Sequence, residues 1–128
     1  MVRDRGGMPS EQERKRIALE YCRRMSAGEP DRLVELFAPE ATIEDPVGGE
    51  PVTGREALRT FYRDLIDRTG PQVEPGTPRA SHDDESVVVP LVVRISDGRE
   101  LASVDLFHLD ESGAITHLWA YWGPSDSR

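Results

Sequence analysis

Residues 86–122 read SVVVPLVVRISDGRELASVDLFHLDESGAITHLWAYW, and this stretch decides the fold class. Ser86–Ile95 is dense in Val and Ile, which suit a pleated surface. Asp97-Gly98 is a strong hairpin signal. A second strand follows over 99–109. Asp110-Glu111-Ser112-Gly113 then turns the chain into a third strand over 114–122. Just upstream, Arg79–His82 predicts a short strand with a turn at Asp83-Asp84. Short connections between consecutive strands predict an antiparallel sheet.

The first half of the chain has a different period. Between 11 and 27, Ile17, Tyr21 and Met25 fall four apart, with Ala18 and Cys22 beside them, so a helix is predicted. Arg14, Lys15, Arg16, Arg23 and Arg24 are expected on its solvated side. Gly28 closes the helix and Pro30 suits the first turn of a second, over 30–38, with Leu33, Val34, Leu36 and Phe37 as its apolar set. Ala41–Glu44 reads as a short strand, broken by Asp45-Pro46. Thr53 and Glu56 match the capping-box spacing, so a third helix should begin near Gly54 and end near Arg68. Its stripe is Leu58, Phe61, Tyr62 and Leu65, and 70–78 is expected to be loop. Helices first and strands later predict an α+β fold. Residues 1–10 are expected to be flexible and 11–124 to form a single domain.

A chain of 128 residues, 37% hydrophobic, can bury one core. With 24 acids against 16 bases the net charge is −8, which argues against nucleic-acid and membrane partners. No apolar run approaches a membrane span. The start, MVRDRGGMPSEQER, lacks an apolar signal core, so a cytoplasmic protein is expected. Cys22 is the only cysteine, which excludes an intrachain disulfide, and it reads as a half-buried helical thiol. His82, His108 and His117 are scattered and read as surface or structural, so no metal is expected. No P-loop, GxGxxG or HExxH motif is present, and no cofactor is expected. Both faces of 99–109 and of 114–122 carry apolar residues. One helical layer covers one face, so a homodimer is expected to cover the other.

Asp105 stands out because Val104, Leu106 and Phe107 surround it. It is either an edge-strand aspartate facing water or a buried acid that keeps its proton. Asp45, at a strand end against Pro46, is open to an ordinary turn role. Tyr21, on the apolar face of the first helix, is open to a core role.

Several segments together resemble the Δ5-3-ketosteroid isomerase family. They are EYCRRMSAGEPDRLVELFAPEATIEDPVGGEPVTG (20–54), Gly54-Arg55-Glu56, Phe61-Tyr62-Arg63, Arg79-Ala80-Ser81-His82, Ser103-Val104-Asp105 and Ala120-Tyr121-Trp122. They occur in order over roughly 11–123. The resemblance implies a cone-shaped NTF2-like (SnoaL-like) fold, in which a curved antiparallel sheet packs on three N-terminal helices around a deep apolar pocket. It also implies a homodimer through the outer sheet face. Asp45 would be the general base, and Tyr21 and Asp105 the oxyanion-hole donors. That family is the reference case of a carboxylic acid kept neutral by an apolar site.

The implied reaction moves the C5=C6 double bond of a 3-oxo-Δ5-steroid to C4=C5 through a dienolate, with no cofactor. A steroid or similar flat apolar molecule is the expected partner. By strand period Ser103, Asp105 and Phe107 share one face, as do Leu118, Ala120 and Trp122. Phe107 and Trp122 are expected to wall the pocket, with Met25, Pro46, Phe61, Ser103 and Ala120 as further lining. Tyr62 is expected to support Tyr21. Phe37 stands where some members of the family carry a second supporting tyrosine. A polyketide cyclase-like enzyme and a non-catalytic binder of apolar molecules are the alternatives. Epoxide hydrolases of this scaffold resemble an Asp-Arg-Asp arrangement, and no arginine is suitably placed between Asp45 and Asp105.

Overall fold

A computed structural model describes residues 3, 4 and 7–128. The expectation of flexibility over 1–10 falls partly outside these residues. Within them, β1 (Arg3–Asp4) pairs with β2 (Met8–Pro9), Pro9 is buried, and Ser10 caps the first helix by accepting from Glu13 N. The stretch 8–10 is therefore part of the folded body.

Three helices follow the expected order: α1 (Glu11–Ala27), α2 (Pro30–Val34) and α3 (Arg55–Thr69). Gly28 ends α1 at φ 71°, a left-handed conformation that glycine adopts without steric penalty. Arg14 departs from expectation. It is 0% exposed rather than solvated. It lies one turn before Ile17 and Ala18 on the inner stripe. Its guanidinium donates to Ser86 O (2.6 Å) and Ser81 O (3.1 Å), pinning α1 to the far side of the sheet.

Helix α2 is shorter than predicted, and Phe37 belongs to a strand. Pro39 disfavours helix at Ala38, and Leu36 O accepts from Ile115 N at 2.9 Å, so sheet pairing begins there. The expected capping box at Thr53 does not form. Thr53 Oγ1 is instead 2.9 Å from Thr42 Oγ1 across a strand pair, and Gly54 caps α3 without a side chain.

The main sheet has seven strands. They are β3 (Phe37–Glu44), β4 (Val52–Thr53), β5 (Gln72–Pro75), β6 (Arg79–Ala80), β7 (Ser86–Arg94), β8 (Glu100–Leu109) and β9 (Ile115–Tyr121). The order is β4-β3-β9-β8-β7-β5, with β6 also paired to β7. Strand β5 lies inside the expected 70–78 loop. Pro90 sits where β7's outer partner changes from β6 to β5. Its carbonyl accepts from Gly76 N on that side, so its missing N–H costs no ladder bond. One pair is parallel: β3 runs alongside β9, with Ile43 opposite Leu118 and Glu44 opposite Trp119. That pair brings the chain after β3 beside the chain after β9.

The sheet curves around α1 and α3. Its concave face buries Val87, Val89, Phe107, Leu109, Ile115 and Leu118 against the helices. Its convex face is open, leaving Val104 42% and Tyr121 53% exposed. His108 and His117 lie opposite each other there, and Trp119 packs against both. No helix among the described residues is long and apolar enough to cross a membrane.

Candidate active site

The cone encloses a cavity of about 350 Å³ between α1, α3 and the concave sheet face. Each acidic group arrives there from a different backbone setting. Asp45 follows β3 and precedes a cis peptide to Pro46. Val47 N donates to Ala120 O at 2.9 Å, which ties this turn to β9. Trp122 Nε1 donates to Asp45 Oδ1 at 2.8 Å. Burial raises the Asp45 pKa, and the indole hydrogen bond opposes that rise. The surroundings of this carboxyl are thus more apolar than a loop beside proline would suggest.

Asp105 lies in the middle of β8, between Val89 on β7 and Ala120 on β9. It is 4% exposed, so the edge-strand alternative does not hold. Ser103 Oγ donates to Asp105 Oδ1 at 2.9 Å. Burial pushes the Asp105 pKa up to about 7, the charge on Asp45 adds to the rise, and the serine opposes it.

Tyr21 extends from α1 into the same space. Its hydroxyl is 3.1 Å from that of Tyr62 on α3, and either can donate. When Tyr62 donates, the Tyr21 proton is free to point into the cavity. Burial holds both phenols well above their ordinary range, so both stay protonated.

The structure brings Tyr21, Met25, Asp45, Pro46, Phe61, Ser103, Asp105, Ala120 and Trp122 to this one cavity. Phe107 is not a wall of it. That ring is fully buried behind Tyr21, edge-on at 5.1 Å between centroids, because the Tyr21 side chain lies between it and the open space. Tyr62 stands behind Tyr21 in the same way, and Phe37 completes the ring cluster. Cys22 is buried rather than half-buried. Burial pushes its thiol up to about 12, so it is no nucleophile at neutral pH.

Sequence reasoning missed the far half of the cavity, formed by Leu65, Arg68, Val73, Leu91, Val93 and Leu101. The signals were present. Phe61, Leu65 and Arg68 follow one helical stripe, and Leu91 and Val93 alternate on β7 as Ser103 and Leu101 do on β8.

A curved sheet closed by helices over an apolar cavity, with two carboxyl groups and a phenol at one end, defines an NTF2-like fold with a small-molecule pocket. The model of the SnoaL-like domain family matches residues 18–118, and the chain belongs to that family. It is 41% identical over 128 residues to an epoxide hydrolase, LasB, of Streptomyces lasalocidi. That match covers 94% of this chain but 45% of the relative, so the chain spans about half the length of that hydrolase. It is 32% identical to a steroid Δ-isomerase of Nocardioides simplex, over 88% of this chain and 91% of the relative. Among solved structures it resembles SalBIII, described as an epoxide hydrolase/cyclase-like enzyme in pyran ring formation in the polyether salinomycin. The TM-score is 0.85 at 34% identity, covering 91% of this chain and 95% of that one.

Proposed function

We propose that the protein is a cofactor-independent acid–base enzyme that opens an epoxide on an apolar substrate, as a hydrolase or a ring-closing cyclase. The observation that carries this reading is the pairing of Asp45 and Asp105 in one apolar cavity, with the Asp105 pKa at about 7. An acid of that strength is still about half protonated at neutral pH and releases its proton readily to a basic oxygen. Asp105 gives its proton to the epoxide oxygen as the C–O bond breaks. The Asp45 carboxylate takes the proton of the attacking hydroxyl as the new C–O bond forms. That hydroxyl belongs to water in a hydrolase and to the substrate in a cyclase. Solvent then carries the proton from Asp45 back to Asp105. Tyr21, backed by Tyr62, is a second donor to the same oxygen. No arginine between the two aspartates is needed, because Asp105 itself donates. The likenesses to LasB and SalBIII support this reading.

A second reading, isomerisation of a 3-oxo-Δ5-steroid, is favoured by the Tyr21–Tyr62 phenol pair and by the steroid isomerase relative. There Asp45 would move the C4 proton to C6, while Tyr21 and Asp105 would only hydrogen-bond the enolate oxygen. A non-catalytic binder of apolar molecules has no need for two carboxyl groups facing its cavity.

Two assays on one preparation decide. In the first, 4,5-epoxyoctan-1-ol is followed by chiral gas chromatography for cyclic ether or triol. In the second, 5-androstene-3,17-dione is followed by its conjugated-enone absorbance. Stereoselective opening that Asp45→Asn abolishes is the expected result. Enone formation alone would transfer the assignment to the isomerase, and silence in both would overturn the two readings. The homodimer and the single domain, expected over 11–124 and here joined by residues 8–10, are carried forward as part of the proposal. The open convex face, with Val104 and Tyr121, is where the second copy would sit. Sedimentation velocity on wild type and Tyr121→Asp tests it.

A further inference from the structure

The cavity is polarised from end to end, and its far end carries a cation. Asp105 and Ser103 lie on β8 in register with Val89 and Leu91, whereas Leu101 lies opposite Val93. From Asp105 to Leu101 the strand advances four residues, about 13 Å. Along α3, Phe61 and Arg68 are seven residues apart, about 10 Å. Ser96 N donates to Thr69 O at 2.8 Å, which fastens the end of α3 to the end of β7. Arg68 therefore sits at the Leu101–Ile95 end, opposite the acids. Between the two ends the walls are apolar: Met25, Leu65, Leu91 and Val93.

Arg68 is the one cation among the residues that line the cavity. Its guanidinium makes no ion pair or hydrogen bond among the described residues. Of its neighbours, Arg63 on the same helix is also unpaired among the described residues but lies outside the cavity lining, while two others are paired. Arg59 on the same helix pairs with Asp31 at 3.1 Å, and Arg94 with Glu100 at 3.0 Å. A cation anywhere in the last turn would suit the helix dipole, but this one lies on the Phe61–Leu65 stripe that faces the cavity. The net charge of −8 repels anions at a distance, so an anionic ligand group needs a local partner.

We infer that Arg68 reads a carboxylate at the far end of the substrate, whose apolar body spans the cavity while its reacting oxygen meets Asp105 and Tyr21. This deepens the reading of the cavity as a substrate pocket and rests on it. The substrate class is thereby an elongated apolar carboxylic acid. A guanidinium matches a carboxylate with two parallel hydrogen bonds. A single arginine suits that singly charged group better than a phosphate.

The test is calorimetric binding of a non-reacting pair, 3-oxo-4-androstene-17β-carboxylic acid and its methyl ester. An exposed guanidinium–carboxylate pair should make wild type prefer the acid by about fivefold. Arg68→Met should lose that preference by weakening the acid alone, and Arg68→Lys should keep part of it. Wild type that does not prefer the acid, or an Arg68→Met variant that loses both ligands alike, overturns the proposal. The preference is read without turnover, so an enzyme that opens no epoxide but keeps it would refute the reaction and leave Arg68's role standing.

Discussion

Asp45 and Asp105 face one cavity from opposite kinds of backbone. Asp45 ends a strand, is half-buried, and receives an N–H from Trp122. Asp105 sits mid-strand with paired strands on both sides and receives a serine hydroxyl. Burial lifts both. Asp45, the less buried of the two and the one that receives the indole N–H, is the easier to ionise, and its charge lifts Asp105 further. Asp45 therefore ionises first, and its charge helps Asp105 keep its proton. In the proposed mechanism two identical side chains become a base and an acid through depth and one donor, and each half of that difference can be attacked separately.

The largest effect should come from removing the base. Asp45→Asn is expected to lower kcat by about 10²–10⁴-fold, with binding of a product analogue kept. Equal loss of both would refute the assignment. Removing either oxygen-facing donor should cost less. Tyr21→Phe and Asp105→Ala are each expected to lower kcat by about 10²–10³-fold, and near wild-type rates for both would remove them from the site.

The pH profile sharpens the comparison. Activity should rise as Asp45 loses its proton, above the ordinary carboxylate range, and fall as pH passes about 7, where Asp105 loses its own. Trp122→Phe should move the rising limb to higher pH, because it deletes the hydrogen bond that holds Asp45 down. Stability should follow Asp105. Its folded pKa is raised, so its contribution is complete below the ordinary aspartate range and is lost as pH rises through about 7. Asp105→Asn should flatten that fall in Tm between acid and neutral pH. Ser103→Ala should produce the smallest change, a further upward shift of the falling limb.

What the sequence disclosed divides along local and non-local lines. The helices and the hairpin strands were readable because each carries its own period and its own breakers. Asp105 announced itself by its apolar neighbours within one strand. Phe37 misled because its apolar spacing continues a helix, while the decisive partner, Ile115, is far along the chain. The Thr53 motif misled for the same reason, since Thr42 competes for its hydroxyl. Arg14 looked solvated because the carbonyls that receive it, at Ser81 and Ser86, are contributed by a distant turn. The roles proposed for Asp45 and Tyr21 came from family likeness, since each residue's own setting also fits a turn or a core position. Arg68 continues the Phe61–Leu65 stripe in the sequence, but which end of the cavity it occupies is set by the non-local contact of Thr69 with Ser96.

The parallel pairing of β3 with β9 has a consequence for how the molecule is made. Asp45 and the indole that holds it are 77 residues apart in the chain. Closing so long a loop is entropically unfavourable and comes after local contacts have formed. In the folding chain the β7–β8 hairpin, whose contacts are close in sequence, can form before that long loop closes. The Asp45 carboxyl acquires its indole partner only when β9 has paired with β3, so a partly folded chain with β9 unpaired leaves that carboxyl unanchored.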